Sequence, residues 1–213
     1  MAALDALLEH PALWRGRSTV PPAGTPVWPS GHPPLDHALG GGWPRGQLVE
    51  LLGAPFGCGE TRLLAPMLAA CGQAGYRIAL IAPPATPWLP GWQALGIPAE
   101  RVLLIRADAD RDRLWASEQC LRDPAFGALL AWLQGPVEIA LLRRLRLAAA
   151  ESRACAILYR PPQAAQQPSP AHQRLQWQPA GNGLRLHSLK GRGGWTRSGQ
   201  PLHIPDPQPL PGT

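Results

Sequence analysis

The stretch that decides the fold is LDHALGGGWPRGQLVELLGAPFGCGET, residues 35–61. Within it, residues 47–52 form a mostly apolar run of the length of a buried strand. Residues 53–59 hold three glycines and a proline, and a helical pattern begins at about residue 60. A strand that passes through a glycine-rich turn into a helix is the first unit of an α/β fold. The sequence therefore predicts a turn at the carboxyl end of a central strand.

The rest of the chain repeats this alternation of apolar strands and helical patterns. Continuous apolar strands separated by helices favour a mainly parallel sheet with helices on both faces. A polar turn at residues 180–183 then separates two alternating stretches, which predicts an antiparallel hairpin at a sheet edge. The predicted strands are 47–52, 77–82, 102–106, 127–133, 154–159, 174–178 and 183–189, and the predicted helices include 60–74, 91–95, 110–121 and 137–152.

Composition divides the chain into four segments. Residues 1–16 carry leucines at helical spacing and predict a short helix, and residues 17–34 are rich in proline and predict a linker. Residues 35–190 form the α/β core, and residues 191–213 form a basic tail rich in proline and glycine. All of the formal net charge of +6 arises after residue 151. Such asymmetry suggests a polyanionic or acidic partner for that end, and a merely solvated basic tail is the alternative.

The glycine-rich turn resembles a phosphate-binding loop with its chemistry changed. The P-loop pattern is G-x-x-x-x-G-K-S/T, in which the lysine neutralises phosphate and the hydroxyl holds magnesium. Gly59 and Thr61 fit this pattern, but Ala54 replaces the first glycine and Glu60 replaces the lysine. At about 4 Å and an effective dielectric near 20, reversing one charge changes the interaction with phosphate by roughly 8 kcal/mol before screening. We therefore expect a degenerate phosphate loop, made of Ala54, Pro55, Gly57, Gly59, Glu60 and Thr61.

Residues 35–50 resemble the RecA-family segment L-D-x-A-L-G-x-G-G-x-P-x-G-x-x-V-E, and Pro55, Gly59 and Thr61 continue the match. The resemblance implies a RecA-like fold of the P-loop NTPase type. It also places the family's catalytic acid at Pro84 and its magnesium-associated aspartate near Trp132. With lysine and both acids replaced, we expect no ATPase activity, no catalytic residue, no cofactor and no metal.

Among RecA-like proteins, the chain more closely resembles the ImuA family of translesion-synthesis proteins. The residues that carry this resemblance are 3–8, 14–16, 40–44, 81–84 and 112–119. It implies a non-catalytic accessory protein of the SOS-induced mutasome, with three partners: the pseudo-polymerase ImuB, an error-prone replicative-type polymerase and RecA. Two alternatives stay open, a SulA-like inhibitor of cell division that binds FtsZ and an ATP-dependent RecA-like recombinase with an unorthodox site.

Without catalysis, function would reside in surfaces. Cations together with an exposed aromatic favour weak, salt-dependent binding of single-stranded DNA, although the same charges would suit an acidic protein. A second candidate surface combines two pairs of residues. Trp88 and Trp92 are either an exposed apolar ridge that binds a partner or a cover over the carboxyl edge of the sheet. Arg143 and Arg146 are either the solvated edge of a packed helix or contacts between subunits of a homo-oligomer. The candidates are Arg174, Arg185, Lys190, Arg192, Trp195 and Arg197 for the first surface, and Trp88, Trp92, Arg143 and Arg146 for the second.

The four cysteines form no C-x-x-C pair, which argues against a zinc ribbon or a thioredoxin-like site. Three lie in apolar runs and are interpreted as small core residues in a reducing compartment. No apolar stretch reaches the roughly 18 residues of a membrane span. We expect a cytoplasmic protein without membrane contact.

Overall fold

A computed structural model describes residues 26–53, 60–191, 195 and 198–205. The remaining residues include the predicted N-terminal helix and most of the predicted linker. The helices of the described part are α1 (Pro33–Leu39), α2 (Glu60–Gln73), α3 (Leu89–Ala94), α4 (Asp110–Arg122) and α5 (Ile139–Glu151). The strands are β1 (Val27–Trp28), β2 (Trp43–Pro44), β3 (Gln47–Gly53), β4 (Arg77–Ile81), β5 (Val102–Ile105), β6 (Phe126–Trp132), β7 (Cys155–Arg160), β8 (Gln173–Pro179), β9 (Gly183–Lys190) and β10 (Leu202–Pro205).

Eight of these strands form one sheet in the order β10-β9-β8-β3-β7-β6-β4-β5. Every neighbouring pair from β8 to β5 is parallel. β9 runs antiparallel to β8, and β10 runs antiparallel to β9. The sequence-based expectation of an α/β fold with a mainly parallel sheet and a C-terminal antiparallel hairpin is thus confirmed.

The central strands are mostly apolar because both of their faces are covered. On β3, Val49 and Leu51 pack in a cluster with Leu64 and Met67 of α2. Leu48 on the opposite face packs with residues of α4 and α5, among them Leu142. Alternate residues of one strand thus enter different cores, since successive side chains of a strand point to opposite faces.

The segment before α1 packs on the core, although the sequence predicts a linker through residue 34. β1 pairs with β2, and Trp28 is buried, with its indole Nε1 donating a hydrogen bond to the carbonyl of Gly127 at 3.1 Å. The guanidinium of Arg45 lies 4.4 Å from the centre of the Trp28 ring. A buried tryptophan offsets the conformational entropy that a proline-rich segment loses on ordering, because its ring removes a large apolar area from water. Pro33 and Pro34 fit the first turn of α1, where no backbone donor is lost.

The end of the described chain also joins the sheet. β10 pairs with β9, and Ile204 is buried, so the predicted hairpin is not at the edge and residues 202–205 of the predicted basic tail form a strand of the sheet. The alternation of Leu202, His203 and Ile204 is the period-two pattern of a strand. Leu202 and Ile204 both contact the apolar core on the α2 side of the sheet.

A buried carboxylate lies in the middle of the sheet. Glu50 of β3 has no exposed surface, and its two oxygens pair with guanidinium groups from both neighbouring strands. Arg160 Nη1 lies 3.1 Å from Oε1 and Arg174 Nε lies 2.7 Å from Oε2. The hydroxyl of Ser169 donates a further hydrogen bond to Oε1 at 2.7 Å. The carboxylate therefore joins β3, β7, β8 and the loop that precedes β8.

The same arginines hold that loop, residues 161–172, against the sheet. Arg174 Nη2 donates to the carbonyl of Ala164 at 2.6 Å, and Arg160 Nη2 donates to Oε1 of Gln167 at 2.7 Å. Ala164 and Ala171 of the loop are buried. The loop is thus anchored by buried charge on one side and by apolar contacts on the other.

We predict that Glu50→Gln lowers the free energy of unfolding by about 3–5 kcal/mol, because two buried guanidinium groups lose their counter-charge. Urea unfolding followed by circular dichroism measures the change. Glu151→Gln, at an exposed position of α5, serves as the control and should be nearly neutral. Replacing Glu50, Arg160 and Arg174 together by methionine should cost less than Glu50→Gln alone. A single variant as stable as the wild type would contradict this role.

Candidate functional site at the carboxyl edge of the sheet

The carboxyl ends of the parallel strands lie side by side at one edge, where an open α/β sheet binds its ligands. β3 ends here at Gly53, and the chain re-enters the described part at Glu60, the first residue of α2. Thr61 follows in the first turn of α2. The other residues of the predicted phosphate loop, Ala54, Pro55, Gly57 and Gly59, lie outside the described residues.

Aromatic rings occupy the ends of β6 and β7. Trp132, the last residue of β6, stacks on Tyr159 of β7 with ring centres 4.8 Å apart and an interplanar angle of 15°. Both side chains are buried, and the two residues are direct partners in the register of the strands. The position at which the RecA resemblance expects a magnesium-associated aspartate is therefore part of an aromatic stack.

A third ring lies beside the start of the phosphate loop. The indole of Trp177 on β8 packs so closely over Gly53 that a Cβ at residue 53 would overlap the ring. Residue 53 is therefore restricted to glycine by this contact. Between the ring and β7 opens a cavity of about 400 Å³. Its lining consists of Leu51, Gly53, Leu133, Gln134, Tyr159, Arg160, Pro161, Pro162, Gln163 and Trp177.

The cavity offers little to a charged ligand. Arg160 is the one charged residue of this lining, and its guanidinium is already held by Glu50 and Gln167. The rest of the lining is aromatic, aliphatic or proline, with two glutamines. Triphosphate binding needs free cations and backbone donors directed at the phosphates. The described walls of this cavity suit an apolar group better than a phosphate.

An acidic residue does reach this edge, but it is engaged in structural contacts. Asp110, the first residue of α4, accepts hydrogen bonds from the backbone amide of Gly135 at 2.7 Å and from Nη1 of Arg113 at 3.0 Å. Arg113 also donates to the carbonyl of Trp132 at 3.1 Å. The contact between Asp110 and Gly135 joins residues 25 positions apart, so the local sequence around Trp132 gives no sign of it. Asp110 fixes the turn after β6.

Pro84 is exposed in the loop after β4, three residues beyond the end of that strand at Ile81. The intervening Ala82 has a positive φ of 48°, and its amide donates to the carbonyl of Ile105 at 2.7 Å. No acidic residue occurs between Ala82 and Trp88. The loop therefore supplies no carboxylate where the resemblance expects one.

The predicted basic surface contains only part of its expected residues. Arg174 is buried against Glu50, so its charge belongs to the interior and not to a binding surface. Arg185 and Lys190 are exposed on β9, and the Lys190 ammonium donates to the carbonyl of Ser169 at 2.9 Å. Partial burial, and then the charge of Arg174, lowers the pKa of Lys190. Trp195 packs partly against the core, whereas Arg192 and Arg197 lie outside the described residues.

The two tryptophans of the second predicted surface have different environments. Trp88 is 73% exposed, whereas Trp92 packs against the core on the α2 side. They therefore do not form a continuous exposed ridge. Trp92 instead packs over the sheet, which is the alternative interpretation. Arg143 and Arg146 are both exposed on α5.

The described cysteines are buried and unpaired in disulfides, as expected of core residues. Burial raises the pKa of Cys71 to about 12 and that of Cys120 to about 11, and burial also raises the pKa of Cys155. These thiols stay protonated at neutral pH and are poor nucleophiles. Cys58 lies outside the described residues. Within the described ranges, no cluster of His, Cys, Asp or Glu is arranged to hold a metal ion.

No protein-family model matches the chain. A stretch of 102 residues is 34% identical to the protein RecA of Picosynechococcus sp.. The chain is weakly related to RecA. The match includes 48% of the chain but only 29% of the length of that RecA.

Among solved structures, the chain is similar to SulA from Pseudomonas aeruginosa, with a TM-score of 0.44 and 28% identity. That alignment covers 53% of the chain and 97% of the SulA chain. None of the helices in the described part of the chain has the length and hydropathy needed to cross a membrane.

We predict that Gly53→Ala destabilises the protein by about 1–3 kcal/mol, because the added methyl group overlaps the Trp177 ring. Thermal and urea unfolding measure the loss. In the background of Trp177→Ala, which removes the ring, the same glycine change should cost much less. Equal costs in the two backgrounds would show that the rings at this edge do not determine the residue at position 53.

Proposed function

We propose that the chain is a non-catalytic, RecA-related accessory protein of the SOS-induced translesion DNA synthesis machinery, and that it binds ImuB. The observation that carries the non-catalytic part is the aromatic carboxyl edge. Trp132 stacks on Tyr159, and Trp177 covers Gly53. These rings occupy the ends of three strands that border the site where a P-loop protein binds phosphate.

Phosphoryl transfer depends on positioning and charge: a lysine and a metal neutralise the phosphates, and an acid or amide orients the attacking group. Glu60 stands at the lysine position, and Pro84 and Trp132 stand at the acid positions that the RecA resemblance assigns. Asp110 lies near the end of β6, but its oxygens accept hydrogen bonds from Arg113 and from backbone amides. These features support a protein that acts through contacts and not through ATP hydrolysis.

The sequence relationship to RecA supports a setting in DNA repair. The resemblance of residues 3–8, 40–44 and 112–119 to the ImuA family supports the narrower assignment to the mutasome. In this role the chain binds ImuB directly. It associates with the error-prone replicative-type polymerase and RecA as members of the same assembly. Arg185 and Lys190, exposed on β9, would add weak contacts to single-stranded DNA.

We predict that the purified protein does not bind or hydrolyse ATP with magnesium. Isothermal titration calorimetry and a phosphate-release assay measure the two activities. Glu60→Lys returns the lysine to the loop but neither the first glycine, which is Ala54, nor the acids, so this variant should also fail to hydrolyse ATP. Saturable binding at micromolar ATP that is lost in Thr61→Ala would contradict the proposal.

We predict that the tagged full chain retains purified ImuB of the same organism in a co-precipitation assay and does not retain FtsZ. Retention of ImuB should persist without nucleotide, because the proposal assigns no role to ATP. The wild type without a tag is the control for adsorption. Retention of FtsZ in place of ImuB would favour the SulA-like alternative, and retention of neither would exclude both direct interactions.

A further inference from the structure

An exposed tryptophan lies on the outer side of the helix pair α4 and α5. Trp115 of α4 is 62% exposed, although the neighbouring Leu114 and Leu145 are buried. Beside it, a hollow of about 120 Å³ opens between the two helices. Its lining is Arg111, Leu114, Trp115, Glu118, Leu141, Arg144 and Leu145. Together with Arg122, these residues form what we call the Trp115 surface.

Guanidinium groups are fixed at the rim of this hollow. Arg122 Nη2 lies 2.6 Å from Oε1 of Glu118, and Arg144 Nη2 lies 2.7 Å from Oε2. The Glu118 side chain is only 10% exposed, whereas those of Arg122 and Arg144 are 62% and 60% exposed. The carboxylate thus restrains both arginines, although most of each arginine side chain is open to solvent.

The charge of the Trp115 surface is positive. Arg111 lines the hollow one helical turn before Trp115, so the Trp115 surface holds three arginines and one carboxylate, that of Glu118. Asp112 is exposed and lies within one turn of Trp115, but it does not line the hollow. An acidic partner would complete this arrangement.

The physical chemistry of these groups matches a protein partner. Tryptophan and arginine are enriched among the residues that contribute most to protein interfaces. A hollow between leucines accommodates an aliphatic or aromatic side chain, and guanidinium groups bind carboxylates through paired hydrogen bonds. The leucines that line the hollow favour an apolar side chain as its occupant, and nucleic acid is the competing ligand in the test below. Because Glu118 already restrains Arg122 and Arg144, these side chains lose less conformational entropy when a partner binds.

We propose that the Trp115 surface binds an acidic protein segment, whose apolar side chain enters the hollow while its carboxylates contact Arg111, Arg122 and Arg144. The inference concerns α4 and α5 and does not depend on the proposed role in translesion synthesis. The Trp115 surface also lies on the face of the sheet opposite α2.

The test uses a fluorescein-labelled peptide in which leucine and phenylalanine at helical spacing alternate with glutamate and aspartate. Fluorescence anisotropy with the full chain measures binding. A second peptide with glutamine and asparagine in place of the acids, and an oligothymidine of similar length, are the comparison probes. Salt should weaken binding of the acidic peptide, because exposed charges contribute to it.

Trp115→Ala should weaken binding of the acidic peptide by about tenfold or more, and Arg111→Glu should weaken it comparably. Trp88→Ala, at a tryptophan that is also highly exposed in the described part of the chain, is the matched control and should bind like the wild type. Arg111→Glu changes an exposed charge, so it keeps the test valid if Trp115→Ala fails to fold. Unchanged binding in both variants would overturn the proposal. Tighter binding of the oligothymidine with the same dependence on residues 111 and 115 would also overturn it.

Discussion

The pairing of one buried carboxylate with two arginines is the interaction on which the arrangement of this fold depends. Glu50 takes a negative charge out of water, which is tolerated only because Arg160, Arg174 and Ser169 satisfy its oxygens. The groups come from β7, from β8 and from the loop between them. The Glu50 carboxylate therefore links the parallel sheet, the beginning of the hairpin and the loop over β3. Removing any one of these charged groups would leave the remaining ones buried without a full set of partners.

The strands that share this charge network end in aromatic packing. Arg160 follows Tyr159 directly in β7, and Trp177 lies three residues after Arg174 in β8. The charge on one face of the sheet and the rings at its carboxyl edge thus come from the same short segments. Polar groups that reach this edge, such as Asp110, form hydrogen bonds within turns and at strand ends. Among the exposed side chains of the described residues, Trp115 is the candidate for binding that its surroundings support best.

Local patterns predict most of the strands and helices but not the contacts between distant segments. The apolar runs at β3, β4, β6 and β7 are long enough to identify parallel strands, because both faces of each strand are buried. β1 and β10 are too short for this signal, and prolines flank the first and end the second. The burial of Arg174 could not be predicted, since its partner Glu50 lies 124 residues away in sequence. Likewise, Trp132 could be placed at a strand end, but its stacking on Tyr159 depends on strand order.

The outermost strand, β10, has a consequence for how the protein behaves at high concentration. An exposed sheet edge is a template for strands of other chains and promotes aggregation. β10 covers the edge of the longer β9, is only four residues long, ends in Pro205 and follows Pro201. Proline has no amide hydrogen to donate to an added strand. The last described strand thus ends the sheet on this side, because a strand from another molecule pairs poorly with it.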